Sequence, residues 1–226
     1  MGREQAVRAG IVRAARRMRD EGLVVGTAGN VSAREPGGRH FWITPSGVDY
    51  AQLTAAKLVQ VDLTGRQQAG RLQPSSDTMS HAAIYRRREE VACIVHTHSV
   101  FATVFSVLRR EIPALLAEGA GYLGGAVHVM RYLPPASPDS GEQAAAGLGK
   151  HRAVLLPNHG VIVVGETVDR AFTAALLVEQ SARVAYLATL LGKPRHLPPG
   201  EVERMHQFLH QQYGQRRSVR KGSVGA

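Results

Sequence analysis

The chain contains an apolar run that ends in two histidines, at positions 93–99 (Cys-Ile-Val-His-Thr-His-Ser). The run predicts a buried strand, and residues two apart on a strand point to the same face. His96 and His98 could therefore bind one ion between them. An isolated pair is equally consistent with one hydrogen-bonded core histidine and one surface histidine at a strand end, so other parts of the chain have to decide between the two interpretations.

Apolar periodicity predicts alternating helices and strands along the chain. An amphipathic helix is expected over 4–21, a long helix over 167–191 and a last helix over about 200–213. Strands are expected at 40–43, 91–96, 126–130, 153–156 and 161–164. This alternation indicates a layered α/β protein, and the short turns between several strands favour an antiparallel or mixed sheet. We expect one domain over 1–213 and a basic, disordered tail over 214–226.

A helix start is predicted where Pro74-Ser75-Ser76-Asp77 follows Gly70. Ser76 would lie near the N-cap, and Asp77 would lie in the first turn, where a carboxylate is favoured. The helix is expected to end near Arg88. By contrast, four glycines interrupt any periodicity between 114 and 125, and the structure of that segment stays open.

The charge of the chain is strongly positive, with a formal net charge of +10 at pH 7. Its arginines are dispersed, and neither zinc-finger spacing nor an RNA-binding aromatic motif accompanies them, so we expect no nucleic-acid partner. Cys93 is the single cysteine, which excludes an internal disulfide and suits a reducing cytoplasm. Because no run approaches about 18 apolar residues, we expect no membrane association.

A third histidine lies between two apolar strands, in the sequence Pro157-Asn158-His159-Gly160. Three neutral imidazoles with one open position are typical of a catalytic zinc site, because the open position can take a substrate oxygen. Asp77 is the nearest candidate carboxylate. His81 lies four residues after Asp77 on the same helix face, where a structural or supporting role is favoured over metal ligation.

Three loops of small residues could bind an anion. They contain Gly29-Asn30, Ser46-Gly47 and Ser75-Ser76. Such loops offer backbone N–H groups and short donors without blocking the approach of a phosphate. Singly, each loop is more simply a turn; beside a metal site they indicate a phosphorylated small molecule as substrate.

Five motifs, in this order along the chain, resemble the class II aldolase and epimerase family, which includes the adducin head domain as a non-catalytic relative. They are Gly-Thr-Ala-Gly-Asn-Val-Ser (26–32), Ile-Thr-Pro-Ser-Gly (43–47), Pro-Ser-Ser-Asp (74–77), His-Thr-His (96–98) and Asn-His-Gly (158–160). The resemblance covers about residues 5–213. It implies a three-layer α/β/α fold with a central, largely antiparallel sheet, and a homotetramer with active sites between subunits.

The resemblance also implies roles for individual residues. It assigns His96, His98 and His159 to Zn²⁺, for which Mn²⁺ or Co²⁺ could substitute. It places a substrate phosphate among the small-residue loops, at Thr27, Gly29, Asn30, Ser46, Gly47, Ser75 and Ser76. It implies an aldolase that reversibly cleaves a phosphorylated ketose, such as L-fuculose 1-phosphate or a ribulose 1-phosphate, to dihydroxyacetone phosphate and a small aldehyde.

Asp77 departs from the pattern of the family's aldolases, which have a glutamate there as metal ligand and acid/base. Aspartate is shorter by one methylene, about 1.5 Å of reach, and it matches the family's epimerases. A pentulose-5-phosphate 4-epimerase is therefore the alternative, although the segment 113–122 lacks the epimerases' His-Ala-Asp. A non-catalytic adducin-like scaffold is a third hypothesis. Tyr213 matches a tyrosine that the aldolases lend to a neighbouring subunit, and it is expected to be a proton donor.

Overall fold

A computed structural model describes residues 2–134, 139–198 and 200–211. One seven-stranded sheet forms its centre, with strands in the order β4-β3-β2-β1-β5-β7-β6. The strands are β1 Asn30–Ala33, β2 His40–Ile43, β3 Val59–Asp62, β4 Gln67–Ala69, β5 Cys93–Thr97, β6 Ala153–Leu156 and β7 Gly160–Gly165. Every pairing between these strands is antiparallel.

Helices cover both faces of the sheet. They are α1 Arg3–Asp20, α2 Thr78–Arg87, α3 Val100–Val107, α4 Ala117–Leu123, α5 Ser140–Leu148, α6 Val168–Leu191 and α7 Glu201–Gln211. The alternation of side chains along the strands divides the interior into two apolar clusters. Val95 and Val163 pack with α1 and α6 on one face, whereas Ile94 and Ile162 pack with α2 and α5 on the other. The predicted three-layer α/β/α fold is confirmed.

The helix α6 is long and apolar enough to cross a membrane by length and composition alone. Its buried residues, including Ala171, Phe172 and Val178, belong to the cluster against the sheet. Its apolar character is therefore explained by packing inside a layered protein.

Two local predictions were wrong. Residues 126–130 form no strand: Val127 and Val129 make only isolated bridges, to Ile112 and Leu155. Asp77 is the N-cap of α2 and not a first-turn residue, and its side chain makes no capping hydrogen bond. Tyr213 and the tail 214–226 lie outside the described residues.

Candidate active site

Three histidines meet at one end of the sheet. His96 lies in β5, His98 follows that strand, and His159 lies in the turn between β6 and β7. Because β5 pairs with β7, a turn that ends at the first residue of β7 lies beside the end of β5. Asn158 adopts a left-handed φ of 56° in this turn. The topology therefore brings together residues that are more than 60 positions apart in sequence.

The three imidazoles have a nearly threefold arrangement. One nitrogen from each lies within 4.8 Å of the others. Ring centroids are 4.7–4.8 Å apart in all three pairs, with interplanar angles of 66–68°. The Nε2 atoms of His96 and His98 are 3.0 Å apart. Such convergence of nitrogens fits a divalent transition-metal ion.

A hydrogen bond fixes which nitrogen of His96 faces this centre. Its Nδ1 lies 3.0 Å from the carbonyl oxygen of Val161, and the ring is fully buried. A carbonyl oxygen can only accept, so Nδ1 carries the proton and Nε2 keeps its lone pair. This is the orientation that metal-binding histidines need from their surroundings.

Burial favours the neutral form of His98, His159 and His81. It lowers the pKa of His98 to about 4, helped by its two histidine neighbours. The pKa of His159 is also lowered, by burial and by its neighbour His96. His81, fully buried on α2, has its pKa lowered to about 3, chiefly by burial. Only neutral imidazole can bind a metal ion, so these shifts favour binding down to mildly acidic pH.

The same shifts predict that the metal-free protein loses stability in mild acid. His81 and His98 have pKa values of about 3 and about 4 when folded, against about 6.5 when unfolded. The unfolded chain therefore binds more protons below about pH 6.5, and the free energy of unfolding falls as the pH drops from there toward about 4. Urea unfolding at several pH values should show this, and His98→Gln should flatten the dependence. A midpoint that is independent of pH would contradict the assigned shifts.

Asp77 lies beside the three histidines. Its Oδ2 is 3.7 Å from His96 Nε2 and accepts a 2.8 Å hydrogen bond from Asn30 Nδ2. Burial raises the pKa of this carboxyl, but the surrounding histidines and the Asn30 amide outweigh burial and hold the pKa below its usual range. The carboxylate is thus available as a further ligand or as a base.

All the residues predicted to bind phosphate line one cavity of about 240 Å³ with Asp77, His98 and His159. These residues are Thr27, Gly29, Asn30, Ser46, Gly47, Ser75 and Ser76. Backbone hydrogen bonds hold two of the loops together, from Ser46 to Gln73 and from Ser75 to Thr44. None of the described lining residues is Lys or Arg, so hydroxyl, amide and backbone N–H groups are the available anion donors.

Gly29 is required by the geometry of the first loop. Its φ is +71°, and an added Cβ would lie 2.5 Å from the carbonyl oxygen of His96 and 2.8 Å from Val24 Cγ1. We expect Gly29→Ala to destabilise the protein by about 2–3 kcal/mol. Gly37→Ala is the matched control, because Gly37 has a φ of +70° with nothing near its Cβ position, and it should cost only about 1–2 kcal/mol of strain. Equal losses in urea unfolding would argue against the close contact.

A second, smaller cavity adjoins the histidines on the other side of Asp77. Its polar lining residues are Asp77, Ser80, Ser140 and His159, and its apolar ones are Met130, Leu133, Ala144, Leu156 and Pro157. Sequence reasoning missed this cavity. Apolar residues from separate elements give no local pattern that distinguishes a cavity wall from ordinary core.

Comparisons with known proteins agree with this fold and site. The sequence profile described as "Class II Aldolase and Adducin N-terminal domain" matches residues 9–186. The 5-methylthioribulose-1-phosphate/5-deoxyribulose-1-phosphate aldolase of Rhodospirillum rubrum is 35% identical over 204 residues, 90% of this chain and 91% of that protein. The L-fuculose phosphate aldolase of Escherichia coli strain K12 is 37% identical over 169 residues, 75% of this chain and 77% of that protein.

A solved structure of L-fuculose 1-phosphate aldolase superposes with a TM-score of 0.88 at 29% identity, covering 92% of this chain and all of that one. The chain therefore belongs to the class II aldolase and adducin N-terminal domain family. Within that family it is a class II aldolase, a carbon–carbon lyase. The predicted family and enzyme class are confirmed.

Proposed function

We propose that this chain is a zinc-dependent aldolase that reversibly cleaves a phosphorylated ketose to dihydroxyacetone phosphate and a small aldehyde. One observation carries the proposal: three convergent histidine nitrogens adjoin a cavity lined by small anion-binding loops. In a ketose 1-phosphate, the phosphorus atom is two bonds from C1, the carbon next to the carbonyl carbon. One cavity can therefore hold the phosphate while the reacting carbons lie at the histidines.

His96, His98 and His159 would hold the cation, which we propose to be Zn²⁺, with Mn²⁺ or Co²⁺ able to substitute. When bound, this ion supplies Lewis-acid stabilisation of negative charge at the substrate carbonyl oxygen. The loop donors at Asn30, Ser46, Ser75 and Ser76 bind and orient the phosphate. The backbone N–H groups of Gly29 and Gly47 add to them, and Thr27 borders the same cavity.

Asp77 would move a proton to or from the carbon next to the carbonyl group, and it can also add a carboxylate ligand. Its hydrogen bond from Asn30 points one oxygen toward His96. We further propose a cytoplasmic homotetramer of single-domain subunits over 1–213. In this assembly the Tyr213 hydroxyl of a neighbouring subunit gives a proton to the aldehyde oxygen when the carbon–carbon bond forms, and the same group takes that proton back from the hydroxyl when the bond breaks.

A coupled assay tests the proposed reaction. Purified protein with Zn²⁺ is mixed with L-fuculose 1-phosphate, D-ribulose 1-phosphate or 5-deoxy-D-ribulose 1-phosphate. Dihydroxyacetone phosphate is detected by its NADH-dependent dehydrogenase. Turnover that disappears with a chelator and returns with Zn²⁺ is expected. Absence of turnover on every ketose 1-phosphate would overturn the proposal.

A pentulose-5-phosphate 4-epimerase remains the alternative, favoured by the aspartate at position 77. The same residues would then support bond cleavage and re-formation on the opposite face of the aldehyde. Conversion of L-ribulose 5-phosphate to D-xylulose 5-phosphate without release of free aldehyde would select this alternative.

We propose that the second cavity holds the distal end of the ketose, the end farthest from the phosphate. With the phosphate among the loops and the reacting carbons at the histidines, the rest of the ketose extends past Asp77 and His159 toward Met130 and Leu156. Met130 and Leu156 are apolar, which favours a distal carbon without a hydroxyl group beside them, while Ser80 and Ser140 line other parts of the cavity. The Rhodospirillum rubrum relative is named for substrates of this kind.

We therefore expect 5-deoxy-D-ribulose 1-phosphate to be cleaved with about 10-fold higher kcat/KM than D-ribulose 1-phosphate. Met130→Gln, which places an amide in the apolar wall, should reduce or reverse that preference. Met79→Gln is the control, because Met79 is exposed on α2 and lines neither cavity. A wild-type preference for the hydroxylated ketose, or a Met130→Gln preference equal to wild type, would contradict this placement.

A further inference from the structure

Polar contacts dock one face of α2 onto β1. Asn30 donates to Asp77, with Nδ2 2.8 Å from Oδ2. Ser32 Oγ lies 2.7 Å from His81 Nδ1 and 2.8 Å from the Tyr85 hydroxyl oxygen. These are the polar side-chain contacts between β1 and α2 among the described residues.

The spacing of these contacts matches the two elements. Asn30 and Ser32 share one face of β1, at a separation of about 6.6 Å along the strand. Asp77, His81 and Tyr85 follow one another at intervals of four residues on one face of the helix, about 6 Å apart. If β1 shifted by one residue, Ser32 would point to the opposite face of the sheet. The contacts at Ser32 therefore fix how far along β1 the start of α2 lies.

Burial makes these contacts specific. Ser32 and His81 are fully buried and Tyr85 is 1% exposed. His81 Nε2 is also buried and has no hydrogen-bond partner. The Ser32 hydroxyl is thus the one protein side-chain group that His81 bonds within the described residues. A buried polar group held by one partner strongly prefers the arrangement that keeps that partner.

Close packing on the other side prevents α2 from moving away. A Cβ added to Gly141 of α5 would lie 2.6 Å from the carbonyl oxygen of Met79. The backbones of α2 and α5 are therefore in close contact, with α2 enclosed between α5 and β1.

We infer that Ser32, His81 and Tyr85 form a clamp that positions Asp77 beside the three histidines. The clamp residues act through Asp77 and do not touch substrate. By setting the register of α2 on β1, they compensate for the short reach of an aspartate and keep its Oδ2 against Asn30. This inference rests on the proposed function, in which Asp77 is the group that moves the proton.

Ser32→Ala tests the clamp, because it removes the hydroxyl that both partners use. We expect kcat on the preferred ketose 1-phosphate to fall on the order of 10-fold, with KM within about twofold of wild type. Ser106→Ala is the matched control, since Ser106 is an equally buried serine on α3, hydrogen-bonded to Thr103, and it should keep the wild-type kcat. Tyr85→Phe removes the other end of the clamp and should give a smaller loss in the same direction.

A double-mutant cycle separates positioning from general destabilisation. If the clamp acts through Asp77, adding Ser32→Ala to Asp77→Asn should cause no further loss of kcat. Additive losses would overturn the inference. A crystal structure of Ser32→Ala supplies a readout independent of activity: the 2.8 Å contact between Asn30 Nδ2 and Asp77 Oδ2 should lengthen or break. An unchanged contact would overturn the clamp, whereas a wild-type protein without aldolase activity would overturn the proposed function alone.

Discussion

Replacement of His96 by alanine is expected to remove the proposed metal ion and nearly all activity. His96 is fully buried, its Nδ1 is bonded to Val161, and its Nε2 faces the other two histidines. Loss of Lewis-acid catalysis is worth several kcal/mol, so aldol cleavage should fall about 10³-fold or more.

Metal content by mass spectrometry and the coupled assay measure this effect. His128→Ala is the control, since His128 is exposed, contacts Glu111 and lines neither cavity. It should keep both metal and activity. A His96→Ala protein that retains one metal ion per chain with wild-type turnover would show that the three histidines are not the metal site.

The second large effect is expected for Asp77→Asn. Asparagine keeps the shape of the side chain and can still accept the hydrogen bond from Asn30, but it cannot take up a proton as a carboxylate does. We expect kcat to fall about 10²- to 10⁴-fold, the usual contribution of general acid–base catalysis. The three histidines are unchanged, so metal should still bind.

Asp77→Glu and Asp169→Asn complete this experiment. Glutamate restores a carboxylate with about 1.5 Å more reach and should retain activity within about 10-fold of wild type if the register of α2 tolerates its length. Asp169 is 75% exposed in the first turn of α6, and its substitution should leave kcat unchanged. Wild-type kcat in Asp77→Asn would exclude Asp77 as the acid/base.

Local sequence patterns predicted most of the elements correctly. The first helix, the strands at 40–43, 153–156 and 161–164, and the long helix at 167–191 all appear within a few residues of the expected bounds. Each has a strong apolar period of its own, so local sequence is sufficient to define it. The order of the five motifs also predicted the family, which the sequence and structure comparisons confirm.

Where the local pattern was weak, the segment that contains α4 stayed open and the strand predicted at 126–130 was wrong. The helix α4 contains Gly119 and Gly121, which lower helix propensity. It forms because Gly119 and Gly121 let it pack tightly: an added Cβ would lie 2.5 Å from Ser181 Oγ and 2.8 Å from Met205 Cβ, respectively. Residues 126–130 have strand-like composition but make only isolated β-bridges, to Ile112 and Leu155. In both segments, long-range packing decided the conformation.

By itself, the sequence determined which chemical groups this protein can use: imidazoles at strand ends, small hydroxyl and amide residues in loops, and a carboxylate at a helix start. Each signal is local, because it depends on residue type and on spacing within one element. Only the tertiary structure decided that these groups meet. The pairing of β5 with β7 brings His159 to His96 and His98, and the docking of α2 on β1 brings Asp77 to them. These arrangements depend on contacts between residues far apart in the chain. No local pattern of residues encodes such contacts.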